Sequence, residues 1–574
     1  FAYSCSEDPL VLQHELNKNK GKSNTSDLKT LVRGATLNAA NGITIGPNGN
    51  LYVSSVLGQE IVVMNKNTGK IIDRITEKVQ SPDDLVFGPD GSLYWTDILT
   101  GEVGRRTPGQ DGIVTSQEGI VTKQSFRPGV NPIAFNDAGR LFIALDFQGD
   151  GLYEFDPELI DGPRTIIECP GFPPIPCLGF FNSFDFGTDG LLYGPLFAFG
   201  QVIRVDVETG DRETVASGFV NPAAAKFSPD GLLYVLDQTG EVWKINIKTG
   251  DKTLFATLDP GLDNMVFDED GSLYMTNNDL GWVAEILPSG QARIISPGGM
   301  IVPQGIAVMT GTDNQDMVFQ ADLFTLRQFN GRSGQQEDLF KAFLVPPPAP
   351  PGTFFLTLPQ NISASGSDLL ISSFFNSIVQ IWNPEDGVTE EFVEQVAAPI
   401  DAVRLNSNEV IVSDIGKEGV FSMNDPTTNI QPLLAASGLA TDGIFVWAAD
   451  WGSGAIYKID VAGATSDPVY YVPEGPEALN GPEGLAVDNE GRLLVFETGG
   501  PASGAPRLSR IDFTNPEAPV RTTIMDGLEP KKGGIPGFPP MWLFDGVDVG
   551  ANGDIYLTGG EANVIHKIPQ SKVK

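Results

Sequence analysis

One short pattern recurs along the chain and limits what it can fold into. An apolar run meets a turn of the Pro-Asp-Gly type, and a second run beginning Leu-Tyr follows. The pattern stands as "NGITIGPNGNLYVSS" (41–55), "DDLVFGPDGSLYWTD" (83–97), "NPIAFNDAGRLFIALD" (131–146), "NSFDFGTDGLLYGP" (182–195), "AAAKFSPDGLLYVLD" (223–237) and "GLDNMVFDEDGSLYMTNN" (261–278). It returns as "EGLAVDNEGRLLVFET" (483–498) and "DGVDVGANGDIYLTGG" (545–560), with weaker copies at 304, 360–372, 401 and 442. Two such runs across a Gly turn form an antiparallel hairpin. Runs such as "QVIRVDVETG" and "RETVASG" add a third and often a fourth strand to each unit.

A unit of about 40–50 residues carrying four short strands is the signature of a β-propeller blade. One blade cannot bury its own faces, so blades must stack around an axis. We count twelve units, and the preferred all-β architecture is two six-bladed propellers, 37–300 and 301–574, after an N-terminal segment 1–36. The alternative is one twelve-bladed ring. The chain ends after a third-strand run, "NVIHKIP", whereas 27–34 ("DLKTLVRG") reads as an orphan fourth strand able to close the last blade.

Composition excludes several classes. A net charge of -36 argues against nucleic acid, which needs a basic face. No apolar run reaches the roughly 18 residues that span a membrane. Cys169 and Cys177 bracket a loop short enough for a disulfide, with Cys5 left over. The chain opens at Phe1 without Met, as expected if a signal peptide has been removed, and Asn24 and Asn361 begin glycosylation sequons. These features predict a secreted protein.

A polar residue stands eight positions before the turn glycine in unit after unit: Asn41, Asp83, Asn131, Asn182 and Asp263, with Ala223 breaking the series. The second half repeats it with Asp401, Asp442, Glu483 and Asp545, plus Gln304. Innermost strands begin beside the axis, so these side chains are expected to converge. Oxygen-rich groups without compensating cations suit a hard ion such as Ca²⁺, or another divalent cation. Asp263 and Asn264 are read as ligands of their blade. Asn or Asp before a strand also caps turns, and that reading stays open at each position.

The run "DNMVFDEDGSLY" (263–274) and the repeated "NG…PDG..LY" units resemble the regucalcin/gluconolactonase superfamily, which includes paraoxonases and strictosidine synthases. The resemblance implies a divalent ion, usually calcium, held by Glu, Asn and Asp in a central channel. It also implies hydrolysis of a lactone or ester with an Asp assisting water attack. Carried over, Asp263 matches the family's Asp, Asn131 or Asn182 its Asn partners, and Glu483 resembles its Glu but lies in the other half. This chain departs from the pattern in "NPAAAKF" (221–227) and in having no Glu in the first-half set.

With His14 and His566 alone, a Ser-His-Asp triad and a histidine-rich zinc site are excluded. Hydrolysis would rest on a Lewis-acid metal with Asp263 or Asp545 as base. Pro-rich loops 169–181, 345–355 and 533–544 carry Phe181, Phe355, Trp542 and Phe544, read either as loop packing or as the wall of a pocket for a small molecule with an apolar or aromatic body. Two classes stand side by side: a calcium-dependent hydrolase, and a non-enzymatic propeller that binds a small molecule or protein around a structural calcium. A weaker third reading is a strictosidine-synthase-like or lyase scaffold.

Overall fold

Every repeat unit becomes one four-stranded antiparallel sheet, and twelve such sheets stand among the described residues. The computed structural model describes residues 28–169, 177–311, 314–343, 350, 352–463, 465–499, 505–529, 544–559 and 563–573. Cys5, His14, Asn24 and Trp542 lie outside them. In blade 2 the inner strand is Pro82–Phe87, and Leu93–Asp97, Glu102–Arg106 and Val121–Ser125 follow outward. The Leu-Tyr run is the second strand and is wholly buried, whereas the fourth is half exposed. This gradient follows from sheets that pack face to face nearest the axis and splay apart outside.

The sheets close as two rings of six. Thr276 of blade 6 donates its hydroxyl to the Asn41 carbonyl of blade 1. Tyr274 and Val283 pack with Ile43, Val53 and Val62 across the same seam, and Lys66 pairs with Asp268. Blade 1 thus occupies the edge of blade 6 that a single twelve-bladed ring would give to blade 7. In the second ring, Val308 of blade 7 donates its N–H to Asp548 of blade 12 at 2.7 Å. Ile306 and Phe329 pack there against Tyr556 and Ile565. The single-ring alternative is overturned.

The orphan strand behaves as its sequence suggests. Lys29–Arg33 pairs antiparallel with Val564–Ile568, Thr30 opposite His566, and completes blade 12. The chain then crosses to the first ring, with Ala35 N–H donating to the Met300 carbonyl at 2.8 Å. Ala35, Ala39, Leu57, Ile301, Val302, Leu323 and Leu358 form one buried cluster between the rings.

Carboxylates, buried at Asp84 and Asp401 and partly buried at Asp185 and Asp548, stitch neighbouring inner strands. Asp84 accepts from its own Leu85 N–H at 2.9 Å and from Ile133 of blade 3 at 3.2 Å. Asp185 takes Phe186 and Phe227 N–H, both at 2.9 Å. Asp401 takes Ala402 at 2.8 Å and Leu439 at 2.7 Å. Asp548 takes Val549 at 2.8 Å as well as Val308. Asp84 and Asp401 stand two rungs nearer the mouth than Asp185 and Asp548, so all four share one face of a period-two strand. Gly546 permits the closure from blade 12 to blade 7: a Cβ there would sit 2.6 Å from the Ile306 nitrogen.

Removing the Asp548 carboxylate leaves two buried N–H donors unpaired, so Asp548→Ala should cost roughly 2–4 kcal/mol of stability. Asp442→Ala, at an exposed turn, should cost less than about 1 kcal/mol in the same urea titration. Burial raises Asp401 to about 7 and Asp548 to about 6. The folded chain therefore holds protons that the unfolded chain has released, so these groups stabilise at low pH and lose that contribution as pH rises through about 4 to 7. The unfolding midpoint should fall across that window, with a shallower slope in Asp401→Asn.

Candidate metal centre

The register of the inner strands sets which side chains share a level. Ile43, Leu85, Ile133, Ala225 and Met265 pair with Val53, Trp95, Ile143, Val235 and Met275 in their blades. Two residues earlier, at the mouth, stand Asn41, Asp83, Asn131, Ala223 and Asp263, joined by Asn182 in blade 4. The first ring thus brings together five of the expected ligands. Asn264 stands one rung deeper: its Nδ2 donates to Asp84 at 2.9 Å and its Oδ1 accepts from Ser183 at 2.9 Å. It ties the strands together beneath the mouth and is corrected from ligand to floor.

A sixth polar group joins from the second strand of blade 3. Asp97, Asp237, Asn277, Asp414, Asp450 and Glu497 end second strands and hold the loop that enters their own inner strand, as in Asp97 with Ser81 N–H (2.8 Å) and Asp450 with Ala435 N–H (3.0 Å). Asp146 does not. It lies one residue past its strand, Leu141–Leu145, fully buried, and accepts from Asn131 Nδ2 at 3.3 Å. Its backbone N–H still bonds the loop at the Gly129 carbonyl, 2.8 Å, and its neighbour Phe147 takes a left-handed φ of 53°. In the sequence its offset marks Asp146: Leu145 stands where blades 2, 5 and 6 place Asp97, Asp237 and Asn277.

Burial, with repulsion from Asp263 and Asp84, holds Asp83 well above the usual carboxylate range. Asp146 is raised in the same way by burial and by Asp83. Asp263 is pushed up to about 7 by burial and Asp84, against a hydrogen bond from Asn41. No cation appears among the groups acting on these three; Lys226 acts on Asp84 below. Asn131 Oδ1 and Asp146 Oδ1 are buried and take no hydrogen bond. Among the described residues, the one set of three Asp, Glu, His or Cys ligand atoms within 4.8 Å of one another is Asp150 with Cys169 and Cys177, and a disulfide occupies both cysteines. The mouth carboxylates are spread wider, with carboxamides between them. Ligands on opposite sides of a calcium ion lie about 5 Å apart, so mixed Asp and Asn donors fit it better than a small ion would allow. Asn41 Oδ1 accepts the Val56 N–H at 3.0 Å and Asn182 Oδ1 the Ser183 N–H at 2.7 Å, which leaves each carboxamide oxygen one further lone pair.

The second ring differs. Gln304, Gln360, Ile400, Ser437, Glu483 and Asp545 occupy its mouth rung. Asp401 stands one rung deeper as a stitch, and Asp442 is exposed in the hairpin turn at the far face, where it accepts Ile444 and Phe445 N–H. Both are corrected: the sequence run at 442 is the turn itself, and its strand begins at Ala436. Glu483 and Asp545 remain neighbours, with Asp545 N–H donating to Glu483 at 2.8 Å. His566 sits on a third strand, held down to about 4 by burial, far from either mouth rung in the sheet order.

The aromatic expectations divide. Phe181 is fully buried in the core between blades 3 and 4 and is corrected from pocket to packing. Phe355 packs on Phe343, ring centroids 5.5 Å apart. Phe544, 3% exposed, caps a second-ring cavity of about 210 Å³ lined by Ile362, Leu439, Leu485 and Val547. Beside Asp146, a different set appears: Phe147 stacks on Phe180 at 5.1 Å and meets Phe197 at 5.3 Å. Phe197 packs over Ala223, the gap in the polar series. The first mouth thus carries Asn or Asp at blades 6, 1, 2, 3 and 4 and an apolar side at blade 5, where Ala223 shares a cluster with Phe197. Asn361, 3% exposed on an inner strand, is not at a position a glycan could occupy in this fold.

No protein-family model matches the chain, and no curated protein matches it. Among solved structures, virginiamycin B lyase from Staphylococcus aureus aligns at 15% identity over 51% of this chain and 95% of its own, with a TM-score of 0.36. A streptogramin B lyase aligns at 15% over 51% and 94%, TM-score 0.37. A protein assigned as a gluconolactonase aligns at 14% over 47% and 93%, TM-score 0.35. At such scores these likenesses carry no argument; the hydrogen-bonded blades themselves establish a β-propeller.

Proposed function

We propose that the mouth of the first ring binds a divalent cation, calcium by its donor chemistry, and that the loaded site hydrolyses a lactone or ester. The observation that carries this is three carboxylates at one mouth with no facing cation, Asp146 buried and Asp83 and Asp263 partly so, beside two buried oxygens that take no hydrogen bond. Asp83, Asp146 and Asp263 would hold the ion, with Asn131 and Asn182. A bound ion supplies a Lewis acid that polarises a carbonyl and lowers the pKa of water.

The chain's own residues supply the rest. Asp263, pushed up to about 7 by burial and by Asp84 in the absence of an ion, is the carboxylate that would take the proton from water. Asn41 donates to Asp263 and orients that carboxylate. Asp84, Asn264 and Ser183, bonded across the axis, close the floor beneath. Phe147, Phe180 and Phe197 offer an apolar or aromatic ligand body a surface beside the polar half. The Cys169–Cys177 disulfide supports an oxidising, extracellular setting.

Elemental mass spectrometry of the purified chain should find about one calcium, lost on chelation together with turnover in a panel of lactones and aryl esters. Asp83→Asn and Asp146→Asn should each lower calcium affinity at least about tenfold, and Asp545→Asn should leave it unchanged. No bound metal would overturn the proposal. Bound calcium without any turnover would leave a binding propeller with a structural ion.

A further inference from the structure

The first mouth is hydrogen-bonded to the second ring through one file of side chains. Asn41 accepts the Val56 N–H on its Oδ1, so its Nδ2 must do the donating. That nitrogen donates to Asn278 Oδ1 at 3.0 Å and stands beside the Asp263 carboxylate, whose charged form it favours. Asn278 Nδ2 donates in turn to Asp279 Oδ1 at 3.1 Å. Asp279 is 4% exposed, and its other oxygen takes no hydrogen bond but pairs with Lys341. Lys341 ends the outer strand Gln336–Lys341 of blade 7, in the second ring. Its side-chain nitrogen lies 5.7 Å from the ring centres of both Phe324 and Phe343. Burial pulls Lys341 down to about 7, and contact with the Asp279 carboxylate opposes that pull and favours the charged pair.

The file has a direction. Every link donates away from Asn41 and ends on a carboxylate that must be ionised to accept at both oxygens. A buried carboxylate stays ionised only with a partner charge. If Asp279 were protonated or turned away, Asn278 could flip, and its NH₂ would then face the NH₂ of Asn41. Asn41 would lose the contact that aims its second hydrogen at Asp263.

We propose that Lys341, a residue of the second ring, is a positioning residue for the first ring's mouth: it keeps Asp279 ionised and, through Asn278, fixes Asn41 as the donor to Asp263. The effect on cation binding rests on the proposed metal site; the coupling between the rings does not.

The test is a double-mutant cycle on the full chain with Lys341→Met and Asn41→Ala, read in two ways. By calorimetric titration with calcium, Lys341→Met should weaken binding about 5–10-fold, the size of a typical inter-site coupling. Removing a positive charge from an acidic protein would by Coulomb attraction alone strengthen cation binding, so the sign separates positioning from simple electrostatics. Lys341→Arg should recover most of the affinity, and Lys341→Met should add nothing in the Asn41→Ala background. With chelator present, the loss in unfolding midpoint of the double variant should fall short of the sum of the single losses. Lys341→Gln serves the same cycle if the Met variant does not fold. Unchanged or tighter calcium binding in Lys341→Met, or strictly additive midpoints, overturns the proposal. Should the wild-type chain bind no calcium, the metal reading fails and the midpoints alone decide the coupling.

Discussion

Four aspartates, Asp84 and Asp401 buried and Asp185 and Asp548 partly so, each take an N–H from their own strand and one from the next blade, and they fix how the inner strands of this protein lie against one another. Burial of apolar side chains supplies far more free energy: each fully buried Leu, Ile or Phe contributes about 1.5–3 kcal/mol, and every blade seam holds several. That attraction has no direction, however. A hydrogen bond does, and a carboxylate shared between two strands tolerates no slip of register without leaving a donor unpaired. The stitches therefore decide alignment and closure, and burial supplies the stability that pays their desolvation.

The two mouths follow from that alignment. With one face of each inner strand committed to its neighbour, the residue at the strand start is left to meet the axis. In the first ring, five consecutive blades place Asn or Asp there, and Asp146 joins from a strand end displaced by one residue. In the second ring the same level holds Ile400, Ser437 and two glutamines besides Glu483 and Asp545, above a cavity lined by aliphatic side chains together with Ser363, Asp401, Thr441 and Asp548. One architecture thus carries a concentrated oxygen cluster at one end and a more mixed mouth at the other.

The rings are also closed differently. The second is clasped by Lys29–Arg33, taken from the far end of the chain. Every blade of the first is built from contiguous sequence, so its seam depends on side chains, on Thr276, Lys66 and the cluster around Ile43, and on the segment 34–40 packed against the second ring. The file from Asp263 to Lys341 runs along that junction. A site in the first ring is in this way supported by a ring that contributes none of its proposed ligands.

The sequence by itself determined the strands, the twelve blades and the levels of Asn41, Asp83, Asn131, Asn182 and Asp263, because period-two alternation and glycine turns are local and repeat in register. The orphan strand was legible for the same reason: a fourth-strand pattern at one end matched a missing fourth strand at the other. Tertiary structure alone decided the rest. Asp401 and Glu483 look alike as strand starts, yet a shift of one residue sends a side chain to the other face of its strand. Asp442 looked like a strand start and is a turn. Whether blade 6 meets blade 1 or blade 7, and whether Asp146 and Lys341 act on Asp263, depends on contacts between residues distant along the chain. No local pattern records those contacts, because the geometry that creates them exists only once the ring has closed.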